Sequence, residues 1–192
     1  MPDELVDAPI SESSMANAPK TGIKNGQKPR NIVLTGFMGT GKSTVGRILA
    51  KKLDREFLDT DSLIERRHGP IPRIFDEQGE SGFREIEHAV AIELSTDVGY
   101  VISTGGRFML DPHNAKLLEV DNRIFCLVAE LDVIMERVLR RKSSRPMLAV
   151  DDPRARVQEL MQERAEGYAR FEAVPTDERP ASAVADDIIS RL

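Results

Sequence analysis

Residues 36–43 have the composition and spacing of a phosphate-binding loop. They run Gly-Phe-Met-Gly-Thr-Gly-Lys-Ser and fit the pattern G-x-x-x-x-G-K-[ST] between a predicted strand and a predicted helix. Glycines let successive backbone N–H groups converge on phosphate oxygens, and the following helix adds its positive N-terminal end. We expect Lys42 to reach the β- and γ-phosphates of a nucleoside triphosphate and Ser43 to ligate Mg²⁺. The other expected phosphate contacts are Gly39, Thr40, Gly41 and Thr44.

Two carboxylates follow the next predicted strand, which covers residues 56–58. Asp59 and Asp61 are two residues apart, so their side chains can share one edge of a sheet. One can reach toward a metal ion while the other accepts a hydrogen bond or a proton from a hydroxyl group. The alternative is that Asp61 only starts a helix.

Composition indicates one globular domain and narrows the possible partners. The chain has 192 residues and a net charge of −5, so its total charge does not favour nucleic acid or an anionic membrane. It contains neither an apolar run of ~20 residues nor the apolar stretch of a secretory signal. Its single cysteine, Cys126, excludes an internal disulfide and suits a reducing compartment. We therefore expect a cytoplasmic protein.

The chain divides into a polar leader and an alternating domain. Residues 1–29 lack an apolar period, and we expect a disordered N-terminal extension there. Residues 30–192 alternate short apolar runs with helical segments, which predicts a parallel sheet with helices on both faces. Ligands of such sheets bind beyond the carboxyl ends of the strands. The predicted strands cover residues 31–35, 56–58, 100–104 and 123–128, with a weak last strand near residues 173–174.

Local signals place the helices. Ser62 and Glu65 have the spacing of a capping box, which predicts a helix start near Leu63. Asp111-Pro112 and Asp152-Pro153 each combine an N-cap with a proline at the first helical position. Further helices are predicted over residues 42–52, 82–94 and 131–141 and at the C-terminus.

Several motifs together resemble those of the shikimate kinases, in the family's order and nearly its spacing, across residues 31–175. The resemblance implies the nucleoside-monophosphate-kinase fold, a three-layer αβα arrangement. Its five-stranded parallel sheet has the order 2-3-1-4-5, and a lid would cover residues 142–151. The motifs are residues 36–46, Asp59-Thr60-Asp61, Ile64-Glu65, Ile74-Phe75, Gly79-Glu80, Phe83-Arg84 with Glu87, Thr104-Gly105-Gly106, Arg145-Pro146, and Arg164 with Tyr168.

The resemblance also implies an activity. Shikimate kinases are monomeric enzymes that transfer the γ-phosphate of ATP to the 3-hydroxyl of shikimate, on the route to chorismate and the aromatic amino acids. By this resemblance the chain needs ATP and Mg²⁺, and Asp59 orients a metal-bound water beside Ser43. Asp61 meets the hydroxyls of shikimate and activates the attacking one.

The same resemblance assigns the remaining site residues. Arg84 and Arg164 hold the shikimate carboxylate, for which a guanidinium fork is well suited. Gly105 and Gly106 bring backbone N–H groups close to the substrate. The other assigned residues are Glu87, which holds Arg84, Arg145, a catalytic residue in the lid, and Arg141 and Pro180, which flank adenine.

Arg107 departs from the family, which usually has a third consecutive glycine at this position. A residue with a Cβ rarely adopts positive φ, and the arginine would add a positive charge near the end of the site that binds the substrate. Arg107 either points into the pocket and changes the acceptor, or points outward and leaves its backbone N–H to act as that of glycine; we favour the second. The predicted lid is also short, and Pro175 in the last strand cannot donate to a ladder.

Two other functions remain open at this point. One is a related kinase for another hydroxylated carboxylate or a sugar acid, and the other is a non-catalytic nucleotide-binding module. Simpler interpretations also remain for single residues. Arg84 and Glu87 could be a surface helix pair, and Phe75 and Phe83 are expected in the core.

Overall fold

The computed structural model describes residues 31–140 and 150–192. The expected N-terminal extension and residues 142–149 of the expected lid lie outside this part. The strands are β1 (Ile32–Thr35), β2 (Glu56–Asp59), β3 (Tyr100–Ser103), β4 (Arg123–Val128) and β5 (Glu172–Pro175). The helices are α1 (Lys42–Lys52), α2 (Thr60–His68), α3 (Ile71–Thr96), α4 (Pro112–Glu119), α5 (Leu131–Arg140), α6 (Pro153–Ala169) and α7 (Ala181–Ser190), with a 3₁₀ turn at Phe108–Leu110.

The strands form a five-stranded sheet in the order β2-β3-β1-β4-β5, and every pairing is parallel. In the central strand, Ile32 lies opposite Val101 on one side and Arg123 on the other. The predicted parallel sheet and its strand order are therefore confirmed.

Side chains of β1 alternate between two hydrophobic cores, one on each face of the sheet. Val33 packs in a core with residues of α2, α3 and α4. Ile32 and Leu34 pack on the opposite face with residues of α1 and α7. Because successive strand residues point to opposite faces, this alternation produces the predicted three layers.

Two helix predictions were wrong in detail. The helix α2 begins at Thr60, because Asp59 at the strand end is its N-cap and accepts a hydrogen bond from Ser62 N at 3.2 Å. Glu65 does not close a capping box and instead accepts a hydrogen bond from Ile71 N at 3.2 Å. The helix α3 is longer than the predicted 82–94, and Gly79 breaks it with φ 72° and ψ −175°.

The two Asp-Pro helix starts are confirmed. Asp111 accepts a hydrogen bond from His113 N at 2.8 Å at the start of α4, and Asp152 accepts one from Ala155 N at 2.9 Å at the start of α6. Pro175 ends β5, an edge strand, where a missing N–H is tolerated. Within the described residues, no helix is both long and apolar enough to cross a bilayer.

Candidate active site

The phosphate-binding loop connects the end of β1 to the start of α1. Gly36 and Gly41 have φ values of 128° and 97°, which favour glycine. A Cβ on Gly36 would also lie 2.3 Å from the carbonyl oxygen of Leu127. Lys42 Nζ donates hydrogen bonds to the carbonyl oxygens of Gly36 at 2.8 Å and Phe37 at 3.0 Å. Because the first turn of α1 carries no acidic residue, the loop and the helix end together favour an anion.

Ser43 and Asp59 meet beside this loop. Ser43 Oγ donates a hydrogen bond to Asp59 Oδ2 at 2.8 Å and lies 3.3 Å from Ser103 Oγ. Mg²⁺ usually takes one or two protein oxygens and completes its shell with phosphates and water. A hydroxyl and a carboxylate next to the phosphate loop fit that requirement. The described residues contain no cluster of three or more His, Cys, Asp or Glu side chains that could hold a metal by itself.

Asp61 lies in the first turn of α2 and lines the same cleft. Burial raises the pKa of Asp61 to about 6, and the charge of Asp59 adds to this rise. The positive charges of Lys42 and Arg84 oppose the shift. Lys42 of the phosphate loop, Asp61 and Arg84 all line this cleft, and both cations are near enough to act on the carboxylate.

The backbone at Gly105 packs directly against Asp61. A Cβ on Gly105 would lie 2.4 Å from Asp61 Oδ1, closer than real Cβ contacts come. Gly105 N also donates a hydrogen bond to Thr60 Oγ1 at 2.9 Å. The loop after β3 and the start of α2 are thereby joined at the site.

Arg84 is held by two glutamates on its own helix. Arg84 Nη1 donates a hydrogen bond to Glu87 Oε2 at 2.5 Å, and the side chain of Glu87 is only 3% exposed. Burial raises the pKa of Glu87, whereas the charge of Arg84 lowers it. On the other side, Arg84 Nη2 lies 3.0 Å from Glu80 Oε1. The interpretation of Arg84 and Glu87 as a solvated surface pair is therefore wrong.

Arg164 is an almost buried cation on α6, with 8% of its surface exposed. Its guanidinium carbon lies 5.5 Å from the centre of the Phe37 ring, and burial lowers the pKa of Arg164. Among the described residues, no carboxylate lies within ion-pairing distance of it. The neighbouring Tyr168 donates a hydrogen bond to the carbonyl oxygen of Gly106, which fixes this loop beside Arg164.

A single cleft of about 1610 Å³ brings most of the predicted site residues together. Gly105 reaches the site through its contact with Asp61. Pro180 precedes α7 next to Arg179 and Ala181, which do line the cleft. Arg141 and Arg145 lie outside the described residues. The predicted residues that line the cleft are Gly39, Thr40, Gly41, Lys42, Ser43, Thr44, Asp59, Asp61, Arg84, Gly106 and Arg164.

Further arginines line the cleft that sequence reasoning did not select. Arg137 on α5 donates hydrogen bonds to the carbonyl oxygen of Thr176 at 2.6 Å and to that of Gly39 at 3.4 Å. In the sequence it precedes Arg141 by four residues, a spacing that in the predicted helix 131–141 could have indicated a shared face. The other cleft arginines of this kind are Arg47, Arg140, Arg156 and Arg179.

Arg107 lies at the rim of the cleft. Its φ of −112° shows that this position does not need glycine's left-handed conformation. The side chain is 52% exposed and donates a hydrogen bond to Glu80 Oε1 at 3.0 Å. The side chain of Arg107 therefore lies along the edge of the cleft, which is neither of the two expected orientations, into the pocket or outward. Phe83 is buried as expected, whereas Phe75 is 37% exposed, and both rings line the cleft.

Comparisons with known proteins show which family the chain resembles. The family model described as shikimate kinase matches residues 38–192. A shikimate kinase of Thermodesulfovibrio yellowstonii is 43% identical over 162 residues, which cover 83% of this chain and 93% of that protein. One of Desulforudis audaxviator is 50% identical over 140 residues, or 72% of this chain and 73% of that protein.

A solved structure of shikimate kinase from Acinetobacter baumannii in complex with shikimate is also similar. Its TM-score is 0.79 at 36% sequence identity, and the match covers 85% of this chain and 92% of that chain. The sequence motifs, the fold and these relatives agree, and the resemblance noted from the sequence is confirmed: the chain belongs to the shikimate kinase family.

Proposed function

We propose that the chain transfers the γ-phosphate of ATP to the 3-hydroxyl of shikimate. The observation that carries this proposal is that Asp61 lines one cleft together with Lys42 of the phosphate loop and with Arg84. Phosphoryl transfer needs the γ-phosphate of the nucleotide and the hydroxyl of the acceptor to be held next to each other in line for attack. Family membership supports the same reaction.

The nucleotide side is formed by the phosphate loop. Lys42 and the backbone N–H groups of residues 39–44 bind the β- and γ-phosphates, and the N-terminal end of α1 adds its partial positive charge. Ser43 and a water held by Asp59 would hold Mg²⁺, which supplies charge neutralisation on the phosphate oxygens when bound. ATP and Mg²⁺ are therefore the proposed co-substrate and cofactor.

The acceptor side is formed by Arg84 and Arg164, which bind the shikimate carboxylate. The backbone N–H of Gly106 approaches the ring hydroxyls. The expected N–H contact of Gly105 is not available, because this group donates to Thr60 Oγ1, and Gly105 instead packs against Asp61. Asp61 accepts the proton of the 3-hydroxyl. The oxygen of this hydroxyl forms the new bond to the γ-phosphorus while the bond between the γ-phosphorus and ADP breaks. The raised pKa of Asp61 suits this role, because a carboxylate whose pKa lies closer to neutral pH is a better proton acceptor than an ordinary aspartate.

A polar acceptor is better matched to this cleft than an apolar one. Although the chain has a net charge of −5, its cleft is lined by basic side chains, which attract anionic ligands. Both ATP and shikimate are anions. These side chains are Lys42, Arg47, Arg84, Arg107, Arg137, Arg140, Arg156, Arg164 and Arg179.

Some assignments rest on motif position alone. We propose Arg145 as a catalytic residue of the lid, and Arg141 and Pro180 as the residues that flank adenine. We further propose a cytoplasmic monomer with neither nucleic acid nor membrane as partner, which the acidic net charge and the single cysteine support.

Coupled measurement of ADP release tests the proposed function. The chain is mixed with ATP and Mg²⁺, and shikimate or a sugar acid such as gluconate is added. We expect ADP release that depends on shikimate. Release with the sugar acid alone would support the related-kinase alternative, and ATP binding without release in either mixture would support the non-catalytic module.

We expect Gly105→Ala to impair catalysis more than Gly106→Ala. The added Cβ at Gly105 would lie 2.4 Å from Asp61 Oδ1 and displace that carboxylate, whereas a Cβ at Gly106 would make an ordinary 3.7 Å contact with Arg164 Nη1. Because a small misplacement of a reacting group can slow a reaction about 10²-fold, kcat/KM for shikimate should fall by about that factor in Gly105→Ala. Equal losses in the two variants would contradict the close contact with Asp61.

A further inference from the structure

Glu80 joins two arginines at the acceptor end of the cleft. Its Oε1 accepts hydrogen bonds from Arg84 Nη2 at 3.0 Å and from Arg84 Nε at 3.3 Å. The same oxygen accepts one from Arg107 Nη1 at 3.0 Å. One glutamate oxygen therefore links an acceptor-binding arginine to the arginine that replaces a family glycine.

Two protein carboxylates accept three hydrogen bonds from the guanidinium group of Arg84, which has five N–H donors. Glu87 accepts from Nη1, and Glu80 accepts from Nε and Nη2. A carboxylate binds arginine best through two parallel N–H groups of one side. Glu80 occupies the Nε and Nη2 side, so an acceptor carboxylate that binds Arg84 through this side must displace Glu80.

The two glutamates differ in their freedom to move. The side chain of Glu87 is 3% exposed, whereas that of Glu80 is 55% exposed. Removing a buried carboxylate from its partner is costly, whereas an exposed ion pair is weak. Glu80 is the partner that can leave Arg84, and Arg107 provides a second guanidinium to which it is already bonded.

Glu80 lies among the positive charges of three arginines. The pKa of Glu80 is lowered, first by its hydrogen bond to Arg84 and further by the charges of Arg107 and Arg164. Glu80 thus stays anionic at neutral pH and competes with the acceptor for Arg84.

We propose that Glu80 and Arg107 form an exchange pair that controls access of the acceptor carboxylate to Arg84. In the free protein, Glu80 accepts hydrogen bonds from the Nε and Nη2 groups of Arg84. When the acceptor binds, Glu80 leaves Arg84 and keeps its hydrogen bond to Arg107. Both are positioning residues, and the inference rests on the proposed function because the competing ligand is the carboxylate of shikimate.

A double-mutant cycle tests the exchange. Calorimetry without ATP measures the Kd for shikimate, and the ADP assay measures KM and kcat. We expect Arg107→Ala to raise Kd and KM about threefold, since exposed ion pairs are weak, while kcat stays within about twofold. Glu80→Gln should lower both constants, and Arg107→Ala should have no further effect when Glu80 is already glutamine. Arg107→Lys should keep most of the affinity.

Matched controls lie on the same helix. Arg73 and Glu77 form an ion pair at 2.6 Å, with side chains 70% and 53% exposed, and neither lines the cleft. Arg73→Ala and Glu77→Gln remove the same charges and should leave Kd unchanged.

Three results would overturn the exchange. An equal rise in Kd for Arg107→Ala with and without Glu80 would show that Arg107 binds the acceptor directly. No rise in either background would show that Glu80 leaves Arg84 without help from Arg107. If the unmodified chain binds no shikimate, the proposed function fails, and the exchange fails with it.

Discussion

Asp61→Asn is expected to reduce kcat on the order of 10²-fold or more, the usual scale for removal of a general base. Asparagine keeps the size and shape of the aspartate side chain, but its amide cannot accept the proton of the attacking hydroxyl. ATP binding should persist, because the phosphate loop is formed by residues 36–43 and the start of α1. Single-turnover kinetics with saturating ATP and shikimate measure the loss directly.

Asp97→Asn provides the matched control. Asp97 is another aspartate whose pKa burial raises, yet it lies outside the cleft. Its substitution should leave kcat within about twofold, since most changes away from a site have small effects. Near-normal turnover of Asp61→Asn would show that another group receives the proton.

Arg164→Met is expected to raise the KM for shikimate about 10- to 100-fold, the range for hydrogen bonds to charged groups. Methionine preserves part of the packing against Phe37 but removes the cation that has no carboxylate partner in residues 31–140 and 150–192. Arg164→Lys should recover only part of the loss, because an ammonium group lacks the planar fork. Steady-state kinetics at saturating ATP separate KM from kcat.

Arg170→Met is the control for that series. Arg170 follows α6, pairs with Glu119 at 2.6 Å and does not line the cleft. Its substitution should leave the KM for shikimate unchanged. An unchanged KM in Arg164→Met would remove Arg164 from the acceptor site.

The phosphate loop could be predicted from sequence because its chemistry is local. Gly36 and Gly41 act through their backbone conformation, and Lys42 and Ser43 are the first two residues of the helix α1 that follows directly. The sheet was predictable for a related reason, since alternating apolar strands and helices leave few possible topologies. The strand order came from the family resemblance, and the structure confirms it.

The start of α2 could not be chosen correctly from local signals. The spacing of Ser62 and Glu65 favours a helix start near Leu63. The structure selects Asp59, which ends β2 in an extended conformation and presents its carboxylate to Ser62 N. The same side chain also accepts a hydrogen bond from Ser43, a contact across 16 residues that no local pattern predicts.

The surroundings of Arg107 required the fold as well. Sequence comparison with the family identified the missing glycine, but the direction of the side chain depends on Glu80, 27 residues away in the chain. Glu80 follows the break at Gly79 in α3, and the predicted helix did not include it. The contact of Gly105 with Asp61 is similarly tertiary, because it joins the loop after β3 to the start of α2.

The product formed by the unmodified chain shows most directly whether phosphate is transferred to the 3-hydroxyl of shikimate. The chain is incubated with ATP, Mg²⁺ and shikimate, and the product is examined by correlated ³¹P and ¹H NMR. We expect ADP and a single phosphoester whose phosphorus couples to the proton on carbon 3 of shikimate. A phosphoester on another oxygen, or inorganic phosphate with unchanged shikimate, would contradict this transfer.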